Sequence, residues 1–190
     1  MKAEAAAIPG LFRSTMRAVI AIILTGAPGA GKSTVAAALA SRLERAAHVP
    51  LDFFRKMIKG GYASPHHWND EVARQYRIAR KSAAQTAINL AAGGFMPILD
   101  DIVPADWVDE WRRDLEGLDC RFVVLRPSLA VALSRNRARE AWTVDPTLLA
   151  ELHEMLDKPY TRDWLAIDNS DGSPEDAAEA VIRALGISLP

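Results

Sequence analysis

The chain of 190 residues has a single cysteine, Cys120, so no disulfide forms within it. Cys120 heads an apolar run and reads as a small core residue rather than a nucleophile. So little cysteine suits a reducing compartment, and a cytoplasmic location is expected. An excess of one charge is also missing. The 23 Lys and Arg nearly balance the 24 Asp and Glu, the net charge is −1, and both signs are interspersed. A nucleic-acid binder usually carries a basic excess or stripe, so nucleic acid is not expected among the partners. No segment approaches the ~20 apolar residues of a membrane helix, so no membrane partner is expected either. Repeats, linkers and low-complexity tracts are absent. The adjacent His66 and His67 stand without the further Cys or His that a metal cluster needs.

What is present is a large hydrophobic fraction, 49%, enough for the core of one globular domain. Apolar runs at 18–25, 48–52, 95–101, 120–126 and 164–168 predict five strands. Between them, helices are predicted over 31–45, 53–59, 69–94, 104–117, 127–141, 145–158 and 173–186. Asn69 and Asp145 serve as N-caps, Pro146 stands at a first helical position, and Ser173 with Asp176 forms a partial capping signal. This alternation predicts a parallel sheet with helices on both faces. Lys2, Arg13 and Arg17 ahead of AVIAIIL, with APGA after it, imitate a secretory signal. Cleavage near Ala30 would destroy the glycine turn that follows, so the run is assigned to a buried strand. Residues 1–16 are expected to form a loose N-terminal extension, with Met16 an alternative start, and residues 17–190 the domain.

The segment GAPGAGKST (26–34) is a complete phosphate-binding loop, G-x-x-x-x-G-K-S, between a strand and a helix. Its glycines let backbone N–H groups turn inward. The following helix presents unpaired donors and a positive dipole end to an anion. Gly26, Ala27, Pro28, Gly29, Ala30, Gly31, Lys32, Ser33 and Thr34 are therefore assigned to a nucleoside triphosphate. Lys32 would reach the β- and γ-phosphates, Ser33 would ligate Mg²⁺ and Thr34 would approach the α-phosphate.

Parallel sheets bind ligands beyond the carboxyl ends of their strands, and the expected strand ends here are polar. Asp52 closes the second run; it is either a cap for the next helix or the carboxylate that takes a proton from an attacking hydroxyl. Arg55, one turn on, could hold an anionic or hydroxylated acceptor. Asp100 and Asp101 close the third run. Strand alternation sends them to opposite sides, so only one of them serves the metal; Asp100 is preferred for the Mg²⁺ shell and Asp101 for substrate, with the reverse assignment left open. Arg135 and Arg139, four apart after the fourth run, are a solvated basic face or lid arginines that neutralise transition-state charge. Tyr62, His66, His67 and Trp68 could line an acceptor pocket. Trp107 and Trp111 read as core.

With GAPGAGKST, Asp52, ILDD and the Arg135/Arg139 pair in this order, the chain from about Arg17 onward resembles the small P-loop kinases. These include gluconate and shikimate kinases, chloramphenicol phosphotransferase and zeta-toxin-like kinases. The resemblance implies a P-loop NTPase three-layer α/β/α sandwich whose five-stranded parallel sheet runs 2-3-1-4-5. It also implies ATP, Mg²⁺ and transfer to a small hydroxylated molecule. In chloramphenicol phosphotransferase an aspartate after the second strand is the base, and Asp52 matches that position. The chain departs from shikimate kinases, whose D-x-D is here Asp52-Phe53-Phe54. It departs from nucleoside monophosphate kinases, offering only Arg55 and possible helpers Arg74, Arg77 and Arg80 for an acceptor phosphate. Asp168-Asn169 is in the wrong order for a guanine signature.

The sequence therefore reads as an ATP-dependent small-molecule phosphotransferase in which Lys32, Asp52, Arg135 and Arg139 are catalytic. Two rivals follow from the same residues: a regulatory or switch-type ATPase without an acceptor, and a kinase of a nucleotide, nucleotide-sugar or RNA end.

Overall fold

In the computed structural model, residues 19–139, 143–158, 161 and 164–188 are described. The expectations about residues 1–16 and about the end of the helix over 127–141 lie outside them.

Strand β1 (Ile20–Thr25) is the centre of the sheet. Its aliphatic run is buried on both faces, as a strand covered by helices on either side requires. It pairs in parallel with β3 (Met96–Asp101) on one side and β4 (Asp119–Leu125) on the other. Strand β2 (Ala46–Pro50) adds to β3, and β5 (Leu165–Ile167) adds to β4. The order is β2-β3-β1-β4-β5, as the family resemblance implies.

Strand alternation splits the core into two layers. Ile22, Leu24, Ile98 and Val123 pack on α1 (Lys32–Arg42) and α7 (Pro174–Leu185). Ala21, Ile23, Leu99 and Val124 pack on α3 (Asp70–Ala92) and α4 (Ala105–Asp114). The long α3 presents Ala79, Ala83, Ala84 and Ala87 to the sheet, small residues that let a helix approach closely. Trp111 and Leu115 fill the space beside them, fully buried. Cys120 packs against this second layer, and burial raises its thiol pKa. It is a core residue, as expected.

Helix ends follow the sequence signals. Asn69 accepts from Val72 N, Asp145 from Thr147 N and Leu148 N, and Ser173 and Asp176 form a full capping box. Ser128 caps α5 (Leu129–Arg137), and α6 (Pro146–Met155) starts with its proline. None of the described helices is long and apolar enough to cross a membrane.

One boundary departs from expectation where it matters. Strand β2 ends at Pro50, and α2 (Leu51–Lys56) begins at the next residue. Asp52 therefore does not close a strand, and it is not the N-cap, which is Pro50. It stands exposed in the first turn of a short helix. A proline last in an edge strand leaves no donor to continue the ladder, and Leu51 is buried as a helical residue.

Candidate active site

The loop from Gly26 to Ser33 joins β1 to α1 at the carboxyl edge of the sheet. Gly29 has φ +82°, and a Cβ there would lie 2.2 Å from the Ala132 carbonyl oxygen. Only glycine permits this approach of the loop to α5. Gly31, with φ +86°, is the N-cap of α1. Lys32 folds back across the loop and donates to Gly26 O at 2.8 Å and Ala27 O at 3.2 Å. Burial lowers the pKa of its ammonium. The charges of Asp100, Asp101 and Asp52 oppose that shift, and the charge of Arg139 adds to it. These groups therefore converge on Lys32 from three elements.

Asn169, just past β5, ties the loop from outside by donating to Ala30 O at 2.9 Å. In the sequence this residue stands out only for its order after Asp168. An Asn after the last strand, next to a glycine-rich loop in the same sheet order, is the signal that was present.

Asp100 and Asp101 point to opposite sides of β3, as alternation requires. Asp100 accepts from the Ser33 hydroxyl and lies 3.1 Å from His48 Nε2. Burial pushes its pKa up, but the bonds from His48 and Ser33 and the charge of Lys32 prevail and hold it below the usual value. His48 had drawn no attention in the sequence; its reach to Asp100 appears only once β2 is paired with β3. Asp101 accepts from Ile102 N at 2.7 Å and Trp111 Nε1 at 3.2 Å. Its carboxyl is pushed up to about 7 by burial, against these two bonds and Lys32. Trp111 is thus core, as expected, and also a prop for the site. Among the described residues no cluster of three His, Cys, Asp or Glu could hold a metal by itself. The donor set facing the loop is one hydroxyl, Ser33, and one carboxylate, Asp100. Such a set fits a hard cation that keeps most of its ligands as water and phosphate oxygen.

On the far side of Asp101 lie α2 and α3. Arg55, expected near the acceptor, is 2% exposed and donates to Ala63 O at 2.8 Å. The Tyr76 ring covers its guanidinium at 3.9 Å and the Tyr62 ring at 5.1 Å. Trp68, Tyr76 and Trp107 form a ring cluster with centroids 5.5–6.3 Å apart. Of the helper arginines, Arg80 is engaged by Glu110 and Asp114, and Arg74 by Glu71. Arg77 is exposed.

The two arginines expected as one lid face separate. Arg135 turns to the β5–α7 loop and donates to Asn169 O at 2.8 Å. With Gly31, Thr34, Asn169 and Pro174 it lines a cleft of about 180 Å³ beside the loop. Arg139 lies beyond the end of α5, so helical spacing does not pair it with Arg135.

A glycine-rich anion cradle on a parallel sheet, with a hydroxyl–aspartate pair at its mouth, defines a P-loop nucleotide-binding protein of the small-kinase fold. More particularly, the chain belongs to the AAA domain family, which matches residues 22–159. The tunicamycin resistance protein of Deinococcus radiodurans superposes with a TM-score of 0.68 at 18% identity, covering 91% of this chain and 98% of its own. A gluconokinase from Sinorhizobium meliloti gives 0.60 at 21% identity, covering 90% and 95%. A shikimate kinase from Acinetobacter baumannii gives 0.62 at 22% identity, covering 86% and 91%. No curated protein matches the sequence.

Proposed function

We propose that the protein transfers the γ-phosphoryl group of ATP to a hydroxyl of a small molecule, in the cytoplasm. The observation that carries this reading is the position of Lys32. It spans the phosphate loop while feeling the charges of Asp100, Asp101 and Asp52. A pure nucleotide switch has no need of two further carboxylates beyond the one that pairs with the loop serine.

In this reading the backbone donors of residues 26–34 and the Lys32 ammonium hold the polyphosphate. Ser33 and Asp100, the latter steadied by His48, would hold Mg²⁺, which would supply positive charge against the phosphates. Thr34, Arg135 and Pro174 flank the cleft that would take the nucleoside. Asp52 accepts the proton of the acceptor hydroxyl as its oxygen bonds to Pγ. The bond from Pγ to the β–γ bridging oxygen breaks, and ADP leaves. Arg139 contributes positive charge on the phosphate side, and Asp101 and Arg55 line the acceptor side. The gluconokinase and shikimate kinase likenesses support a small hydroxylated acceptor.

The test is ATP turnover with sugars, sugar acids, nucleosides and amino-alcohol antibiotics as acceptors. At least one should accelerate turnover and appear phosphorylated. Asp52→Asn should lower that rate about 10²–10⁴-fold, the usual contribution of a positioned general base. Turnover indifferent to every acceptor and to Asp52→Asn would sink the proposal.

A further inference from the structure

Two arginines are buried to the same degree, Arg55 and Arg80, each 2% exposed. Arg80 has two carboxylate partners, Glu110 and Asp114. Arg55 forms no ion pair among the described residues. Among the described residues its side chain donates only to the Ala63 carbonyl; its Nη1, like that of Arg80, is buried without an acceptor, but here no carboxylate meets the charge. Tyrosine faces soften the burial of a guanidinium but offer Nη1 no lone pair. A buried cation left in this state is costly unless an anion completes it.

Tyr76, half-buried, lies against the same guanidinium. Its ring is fixed against Trp68, Trp107 and the Arg55 guanidinium. Among the described residues no hydrogen bond reaches its hydroxyl, although the charges of Arg55, Asp52 and Asp101 all act on it. Burial pushes its pKa up to about 12, so it remains a donor at neutral pH. A buried positive fork short of an acceptor and a phenol beside it therefore share one region with Asp52 and Asp101. Tyr62, the outer cover of Arg55, is 45% exposed. It follows Gly60 and Gly61, where an added Cβ meets nothing within 4 Å. Gln75 ties the backbone on both sides of Tyr62, donating to Gly61 O at 2.7 Å and accepting from Ala63 N at 3.0 Å, so it is the exposed Tyr62 side chain alone that turns aside.

We infer that Arg55 and Tyr76 form a receptor for an anionic group, a carboxylate or a phosphate ester, on the acceptor. The substrate class is then a hydroxylated anion rather than a neutral sugar or antibiotic. The inference rests on the phosphotransfer reading for the role of the bound molecule, but not for the binding itself.

The test uses matched pairs: gluconate and glucitol, glycerate and glycerol, ribose 5-phosphate and ribose. Binding to the full chain is followed by tryptophan fluorescence, once alone and once with Mg²⁺ and a non-hydrolysable ATP analogue. In at least one pair the anionic member should bind at least about 10-fold more tightly, as expected for charge-assisted hydrogen bonds. Arg55→Gln should abolish the preference. Tyr76→Phe, which keeps the ring, should weaken the anion about 3- to 10-fold, the span of one neutral hydrogen bond. Affinity for the nucleotide should not change in either variant, which a general loss of structure would not allow. If Arg55→Gln does not fold, Arg55→Lys and Tyr76→Phe carry the same test. Equal binding of both members in every pair, or a preference that survives these substitutions, overturns the receptor. The two readings fail separately. Arg55-dependent anion binding without any phosphoryl transfer sustains the receptor and removes the kinase. Transfer to neutral compounds alone does the reverse.

Discussion

The indole Nε1 of Trp111 donates to Oδ2 of Asp101 at 3.2 Å, linking the fully buried centre of the α3/α4 layer to the end of β3. Burial raises the Asp101 carboxyl to about 7 against an ordinary 3.8, so it is neutral in mild acid and charged above that value. Between those values the folded chain keeps a proton that the unfolded chain releases. Stability therefore falls as pH rises from about 4 to 7 and stays low above it. Asp101→Asn removes the ionisation. In EDTA the variant should unfold at higher urea than the wild type at pH 8, by up to roughly 4 kcal/mol, and match it near pH 4. Parallel urea curves at the two pH values decide; an unchanged difference would show that burial does not raise the Asp101 carboxyl.

Gly29 and Gly61 both have left-handed backbones, φ +82° and +74°, yet their surroundings differ. An added Cβ at Gly61 meets nothing, whereas at Gly29 it meets the Ala132 carbonyl at 2.2 Å. Gly61→Ala should lose only the conformational term, about 1–2 kcal/mol. Gly29→Ala must also move backbone in the loop or in α5, and should lose about 3 kcal/mol or more. Denaturant melts of both variants, with nucleotide titrations, measure this; only Gly29→Ala should weaken ATP.

What could be read from the chain alone follows the range of each interaction. The phosphate loop, the caps at Asn69, Asp145 and Ser173, and the split of Asp100 from Asp101 rest on neighbours within a few residues. They were legible. The end of β2 was not, because Leu51 continues an apolar run and its helical burial depends on packing. That shifted Asp52 from a strand end to a helix. His48 meets Asp100 across 52 residues of sequence. Asn169 meets Ala30 across 139. No local pattern encodes either pairing, only the finished strand order. Tyr76 was hidden for another reason: an aromatic on a long helix reads as core until its ring is seen over the Arg55 guanidinium.

Lys32 bonds the two carbonyls that open its loop, so in the absence of nucleotide it acts as an internal clasp. Two other bonds also shape the loop, Ala30 N to Ala27 O at 3.0 Å and Asn169 Nδ2 to Ala30 O. Lys32→Gln should therefore leave the fold intact. It should raise the dissociation constant for ATP about 10- to 150-fold, the loss of a hydrogen bond from a charged donor. Calorimetric titration checks the affinity, and circular dichroism checks the fold.

Arg80 supplies the converse of Arg55. Its Nε donates to Asp114 at 2.8 Å, a second nitrogen pairs with Glu110, and its guanidinium lies 5.6 Å from the Trp107 ring centroid. All of this joins α3 to α4 inside the chain, and although Nη1 lacks an acceptor the charge of the guanidinium is met by two carboxylates. Arg80→Met keeps the aliphatic stem but strands two carboxylates that are only 20–24% exposed. Removing one partner of a buried pair costs about 3–5 kcal/mol, and partial exposure of the acids places the expected loss near the lower limit. Ligand binding at pH 7 should survive in the folded protein. Arg55→Gln should behave oppositely, with a small change in the melt and a large change in anion affinity. Thermal melts and the fluorescence titration, run on both variants, separate an arginine that holds two helices together from one that awaits a partner.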